Sequence, residues 1–132
     1  MIKLSKKWDY ALKSIIYIAE KSPELLKIQD VSNDLNISES LLRRIIADFH
    51  KLWIIESVKW RNGWVKLLKE KKDISVYEIL FSVGEELWIT DCTKWLECVN
   101  IDKCWTTNLL SNLQKSFNWI LKLQTLDKII KK

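Results

Sequence analysis

Residues 38–68 read SESLLRRIIADFHKLWIIESVKWRNGWVKLL, and a change of hydrophobic period inside this stretch decides the fold. In the first half Leu42, Ile45, Ile46, Phe49 and Leu52 recur at three- and four-residue steps, one face of an amphipathic helix. Ser38 stands where an N-cap belongs, and Glu39 puts a negative charge in the first turn, where the helix dipole favours it. The opposite face offers Glu39, Ser40, Arg43, Arg44 and Asp48 to solvent. In the second half, residues 54–59 and 64–68 alternate as strands do around Asn62-Gly63, a strong hairpin signal.

Upstream, Leu4, Trp8, Ala11, Leu12, Ile15, Ile18 and Ala19 predict a helix over about residues 5–21, broken by Ser22-Pro23. A short second helix with Ile28, Val31 and Leu35 inward follows, and Asn36-Ile37-Ser38 joins it tightly to the third. Two short helices across a sharp turn form a helix-turn-helix candidate, the alternative being a plain helical hairpin with a solvated charged face. The basic hairpin behind them favours the first reading, as a wing. Ser38, Ser40, Arg43 and Arg44 are then expected in a DNA major groove. From the wing, Lys59, Arg61 and Asn62, with Lys66, would reach phosphates or the minor groove.

Downstream, Ser75 is placed to cap a helix holding Val76, Ile79, Leu80 and Val83 that ends near Gly84. From about residue 106 to 130, Leu110, Leu113, Phe117, Ile120, Leu121, Leu126 and Ile130 mark one long helix. At about 25 residues it would span about 37 Å, more than a small domain covers, so a second subunit is expected on part of its stripe.

Between these helices lie the chain's three cysteines, Cys92, Cys98 and Cys104, evenly spaced in a polar loop over 91–104. An odd count cannot pair off within one chain. Thiolates converging from one loop suit an iron-sulfur cluster or zinc, and three leave one coordination position open.

The 132 residues are one domain's worth, with a winged-helix part over about 1–72 and a linker helix, cysteine loop and terminal helix over about 73–132. A formal charge of +5 is compatible with a polyanionic partner but weak evidence for one. No apolar run approaches the ~20 residues that cross a bilayer, and the N-terminus runs directly into an amphipathic pattern. A cytoplasmic protein without a membrane partner is expected. No Ser-His-Asp, phosphate-loop or His-metal constellation suggests an enzyme.

This order of elements resembles the IscR/NsrR/CymR family of winged helix-turn-helix transcription regulators over nearly the whole chain. The likeness is carried by residues 4–12, by Asn36-Ile37-Ser38-Glu39-Ser40, by the wing and by Asp91-Cys92. It implies a mostly α fold with a small two-stranded wing and a long C-terminal dimerisation helix. It also implies a homodimer on a palindromic double-stranded DNA operator, controlled by an iron-sulfur cluster on Cys92, Cys98 and Cys104. IscR-like members add a histidine three residues after the last cysteine, where this chain has Thr107; the single histidine is His50. NsrR-like members complete a four-iron cluster with an aspartate of the partner's first helix, and Asp9 matches that position. A four-iron cluster is therefore expected over a two-iron one, with Asp91, Glu97 and Asp102 as nearer alternatives to Asp9. The competing expectation keeps the fold but makes the cysteines thiol sensors or zinc ligands.

Eight Trp accompany only two Gly, although ordinary usage would give about nine glycines. Trp53, Trp60 and Trp64 stand where the family has glycine, at the end of the recognition helix and in the wing. UGA is reassigned to glycine in some bacterial lineages, and the expectation is that such codons were translated as tryptophan at these three positions, with Trp8, Trp88, Trp95, Trp105 and Trp119 as further candidates; a Trp-rich core is the alternative.

Overall fold

Serine hydroxyls start three helices in the computed structural model, which describes residues 5–58, 63–84 and 105–130. Ser5 Oγ accepts from Trp8 N at 3.3 Å and opens α1 (Lys6–Glu20); Ser38 Oγ accepts from Leu41 N at 3.3 Å and opens α3 (Glu39–Lys51). Ser75 Oγ accepts from Glu78 N at 3.2 Å and opens α4 (Val76–Ser82). Each cap satisfies an orphan backbone donor and contributes about 1 kcal/mol. Between α1 and α3 lies α2 (Ile28–Leu35), which ends on Asn36 in the left-handed region at φ 54°.

The hairpin forms as expected from β2 (Ile55–Val58) and β3 (Trp64–Leu67), in antiparallel register from Ile55 opposite Leu67 to Val58 opposite Trp64. The sheet has three strands where the sequence suggested two. A short β1 (Leu26–Lys27) pairs with β3 on its other edge, making β3 central in the order β1-β3-β2. Two residues are too few to show a period, which is why this strand left no signal.

The inward faces form one core. Ala11, Ile15 and Ile18 of α1, Leu42, Ile45 and Phe49 of α3, and Ile55 and Val65 of the sheet are all fully buried. Burying such side chains stabilises by roughly 1.5–3 kcal/mol each. Ile74 and Ile79 join the same cluster, and so does Leu126, far along the chain.

The long C-terminal helix expected from the sequence is broken. α5 (Thr107–Leu123) spans about 26 Å. Gln124 is extended, and α6 (Leu126–Ile130) turns back onto α1. The break is held by backbone bonds from Val76 N to Gln124 O at 2.8 Å and from Leu126 N to Ile74 O at 3.0 Å, around a bridge between Ser75 and Thr125. A uniform hydrophobic stripe concealed it, because the period survives across two residues that leave the helix. Among the described residues no helix is long and apolar enough to cross a membrane.

Candidate nucleic-acid interface

The solvent face of α3 gathers the residues that the sequence singled out. Ser38, Glu39, Ser40, Arg43, Arg44 and Ala47 are exposed, while Leu42, Ile45, Ile46 and Phe49 are buried behind them. Ser38 spends its oxygen on the cap, leaving its hydroxyl proton for an outside acceptor. Ser40 and Arg44 stand on the exposed face, and Arg44 makes no ion pair among the described residues.

Arg43 is held. Glu39 Oε1 accepts from Arg43 Nη2 at 2.7 Å and from Nε at 3.1 Å, both side chains half-exposed. On its other side the wing turn closes in. Gly63, at φ +78°, is buried, and a Cβ there would lie 2.8 Å from Ile28 Cδ1 and 3.1 Å from Arg43 Nη1. Gly63 O also accepts from Ile28 N at 3.1 Å, tying the wing to the start of α2. Ile28, Arg43, Ile46, Ala47, Ser57, Val58 and Gly63 together line a groove of about 390 Å³ between α3 and the wing.

Two side chains expected to face outward have protein partners instead. Lys66 pairs across the sheet with Glu56 at 3.3 Å, so part of the wing's expected positive charge is neutralised. On α3, Lys7 of α1 reaches Asp48 at 3.2 Å, with the Asp48 side chain only 19% exposed, which fixes α1 against the recognition helix. Lys59, Arg61, Asn62 and Trp60 lie outside the described residues, as do Cys92, Cys98 and Cys104.

Asp9 lies in the first turn of α1 with its carboxylate half-exposed and 2.7 Å from Lys13 Nζ. That hydrogen bond holds the Lys13 ammonium above the usual lysine range. His50 sits at the edge of the core, its Nδ1 3.2 Å from Ile55 O and its ring tilted against Trp53. Among the described residues no three His, Cys, Asp or Glu side chains converge as a metal site. Glu39 and Gly63 are the residues that sequence reasoning undervalued. The four-residue spacing of Glu39 and Arg43 was the available signal for one; the close approach of the wing to α2 was not readable for the other.

A tight helix pair, a recognition helix with an exposed basic face and an antiparallel wing packed beside it define a winged helix-turn-helix protein. The family model described as Rrf2, iron-dependent transcriptional regulator, matches residues 4–132, and the chain belongs to this family. It is a DNA-binding transcription regulator and not an enzyme. The HTH-type transcriptional regulator NsrR of Bacillus licheniformis is 27% identical over 132 residues, covering 98% of this chain and 92% of that one. Among solved structures, IscR of T. potens has a TM-score of 0.75 at 24% identity, over 98% of this chain and 87% of that one. CymR, the global cysteine regulator of B. subtilis, has a TM-score of 0.79 at 19% identity, over 98% and 97%.

Proposed function

We propose that this regulator reads a palindromic operator as a homodimer and that an iron-sulfur cluster on Cys92, Cys98 and Cys104 controls the binding. The observation that carries the DNA reading is the exposed face of α3, with Ser40, Arg43 and Arg44 beside the wing turn at Gly63. A single helix with a polar and basic outward face suits a major groove, with the wing at the flanking backbone. Lys59, Arg61 and Asn62 then belong to the wing's contact with phosphate or minor groove.

The donor set fits a cluster. Three thiolates are soft ligands for iron, and the half-exposed Asp9 carboxylate is available to a second copy of the chain. In this reading Asp9 of one protomer completes a four-iron cluster held by its partner's cysteines, and the bound cluster supplies a centre responsive to redox state or nitric oxide. Asp9 must leave Lys13 to do so, and an exposed ion pair costs little to open. The exposed apolar stripe of α5 supplies the dimer contact.

The thiol or zinc reading uses the same residues, and the absence of a histidine at position 107 and the CymR-like fold favour keeping it. Anaerobic purification separates the two. Broad visible absorbance with stoichiometric iron and sulfide is expected for the cluster, and zinc or metal-free protein would rule it out. Asp9→Ala should weaken cluster retention or alter its reaction with nitric oxide. Unchanged retention and reaction would exclude Asp9 and leave Asp91, Glu97 or Asp102.

A further inference from the structure

We infer that Glu39 is a specificity-determining residue, holding the Arg43 guanidinium in one orientation for a single base pair. The inference rests on the DNA reading above. Glu39 Oε1 engages Nε and Nη2, at 3.1 and 2.7 Å, so one edge of the planar fork is committed to the protein. The Gly63 turn flanks the Nη1 side, where an added Cβ would lie 3.1 Å away. An arginine held along one edge by a carboxylate loses less freedom on docking and discriminates by direction, whereas a loose one follows the nearest phosphate. Glu39 does this without being a phosphate contact itself, since its own charge repels the backbone.

The test is selection of operator from a randomised pool, followed by binding at several salt concentrations, with the full chain and Glu39→Gln. Relaxed preference at one base pair per half-site, roughly tenfold or more, with an unchanged salt slope is expected. Arg43→Lys should relax the same position. A uniform gain on all sequences with a steeper slope would show Glu39 to be only a charge screen and overturn the inference. Wild-type protein that selects no sequence would instead overturn the DNA reading.

A different observation carries a second inference. The structure assigns position 53 to glycine, and we propose that its codon is UGA, read as glycine in the cell. Trp53 N donates to His50 O at 3.1 Å and Ile54 N to Phe49 O at 3.2 Å, the paired bonds of a helix end whose turning residue is left-handed. The same turn after α2 uses Asn36 at φ 54°, and after α4 Gly84 stands at φ 77°. Asparagine and glycine tolerate that region; Trp53, at φ 59° and 65% exposed, is strained there and has only a tilted ring contact with His50 to offset it. Other tryptophans fit their places poorly too. Trp8 Nε1 is buried with no hydrogen-bond partner among the described residues, and Trp105 is 98% exposed.

The gene should carry UGA at codon 53 and at most of the other tryptophan codons. Protein isolated from its own cells should be lighter than the written chain by one Trp-to-Gly difference per UGA. Trp53→Gly should raise the melting midpoint by several degrees, and Trp53→Ala should not, because alanine shares the left-handed penalty. UGG at codon 53, or a native peptide containing Trp53, would overturn the proposal; equal gains from glycine and alanine would overturn its conformational basis.

Discussion

The helices around the sheet and helix α5 obey opposite rules. In α1 and α3 the apolar stripe is buried, from Ala11, Ile15 and Ile18 to Leu42, Ile45 and Phe49, and the outward face is polar. Along α5 the only buried side chain among those described is Gln114, while Leu109, Leu113, Trp119, Ile120 and Leu123 are 41–63% exposed. Among the described elements α5 packs chiefly on α4, where Lys122 Nζ lies 4.7 Å over the Tyr77 ring. One region buries its apolar stripe within the described structure, and the other leaves its stripe exposed there. A contiguous exposed stripe of that kind marks an interaction surface.

The sharpest break between the regions is expected at the three cysteines. On the proposed cluster reading, Cys98→Ser should abolish visible absorbance and iron content while far-ultraviolet circular dichroism stays near wild type, because α1, α3, the sheet and Leu126 already share one buried core. Iron and sulfide at wild-type levels would place the site elsewhere in the chain. Next in size, Arg43→Ala, Arg44→Ala and Arg61→Ala together should remove most operator affinity, at about 1–3 kcal/mol for each base-reading side chain. Titration by fluorescence anisotropy would reveal it, and unchanged binding would contradict this docking of α3 and the wing.

Leu126→Ala tests where the buried region ends. Although it lies past α5, it is fully buried in the common core, and its truncation should cost about 2–5 kcal/mol in urea unfolding. Leu113→Glu with Ile120→Glu should do the reverse. Sedimentation should show monomers with little loss of stability, and a stable dimer would show that the α5 stripe is not the contact.

The smallest effect is a titration. The Thr125 hydroxyl donates to Asp127 and holds its carboxyl below the usual aspartate range. A lowered folded value contributes stability above the unfolded pKa, lost as pH falls through the folded one. Thr125→Val should therefore bring acid unfolding to slightly higher pH, with no change at neutral pH beyond the loss of the hydroxyl's own bonds.

Much of this was legible in the sequence because it rests on local chemistry. Ser38 and Ser75 each announced a helix start, the apolar period announced α1, and Asn62-Gly63 announced the hairpin that β2 and β3 form. The exposed face of Ser40, Arg43 and Arg44 followed from the same period that buried Leu42 and Ile45. What escaped depends on contacts between distant segments. β1 exists because Leu26 and Lys27 meet Val65 and Trp64, and α5 stops because Ile74 and Val76 capture the backbone on either side of Thr125. Neither partner is visible from the segment alone. Glu39 was readable as a favourable first-turn charge, but its hold on Arg43 between helix and wing needed coordinates.

The return of α6 to the core also has a consequence for cooperativity. Leu126 is part of the core that α1 and α3 share, and Ile129 and Ile130 pack against it, although α5 separates them from that core along the chain. The DNA-reading part and the segment beyond α5 should therefore unfold in one transition, with no stable half left behind when α6 is pulled away.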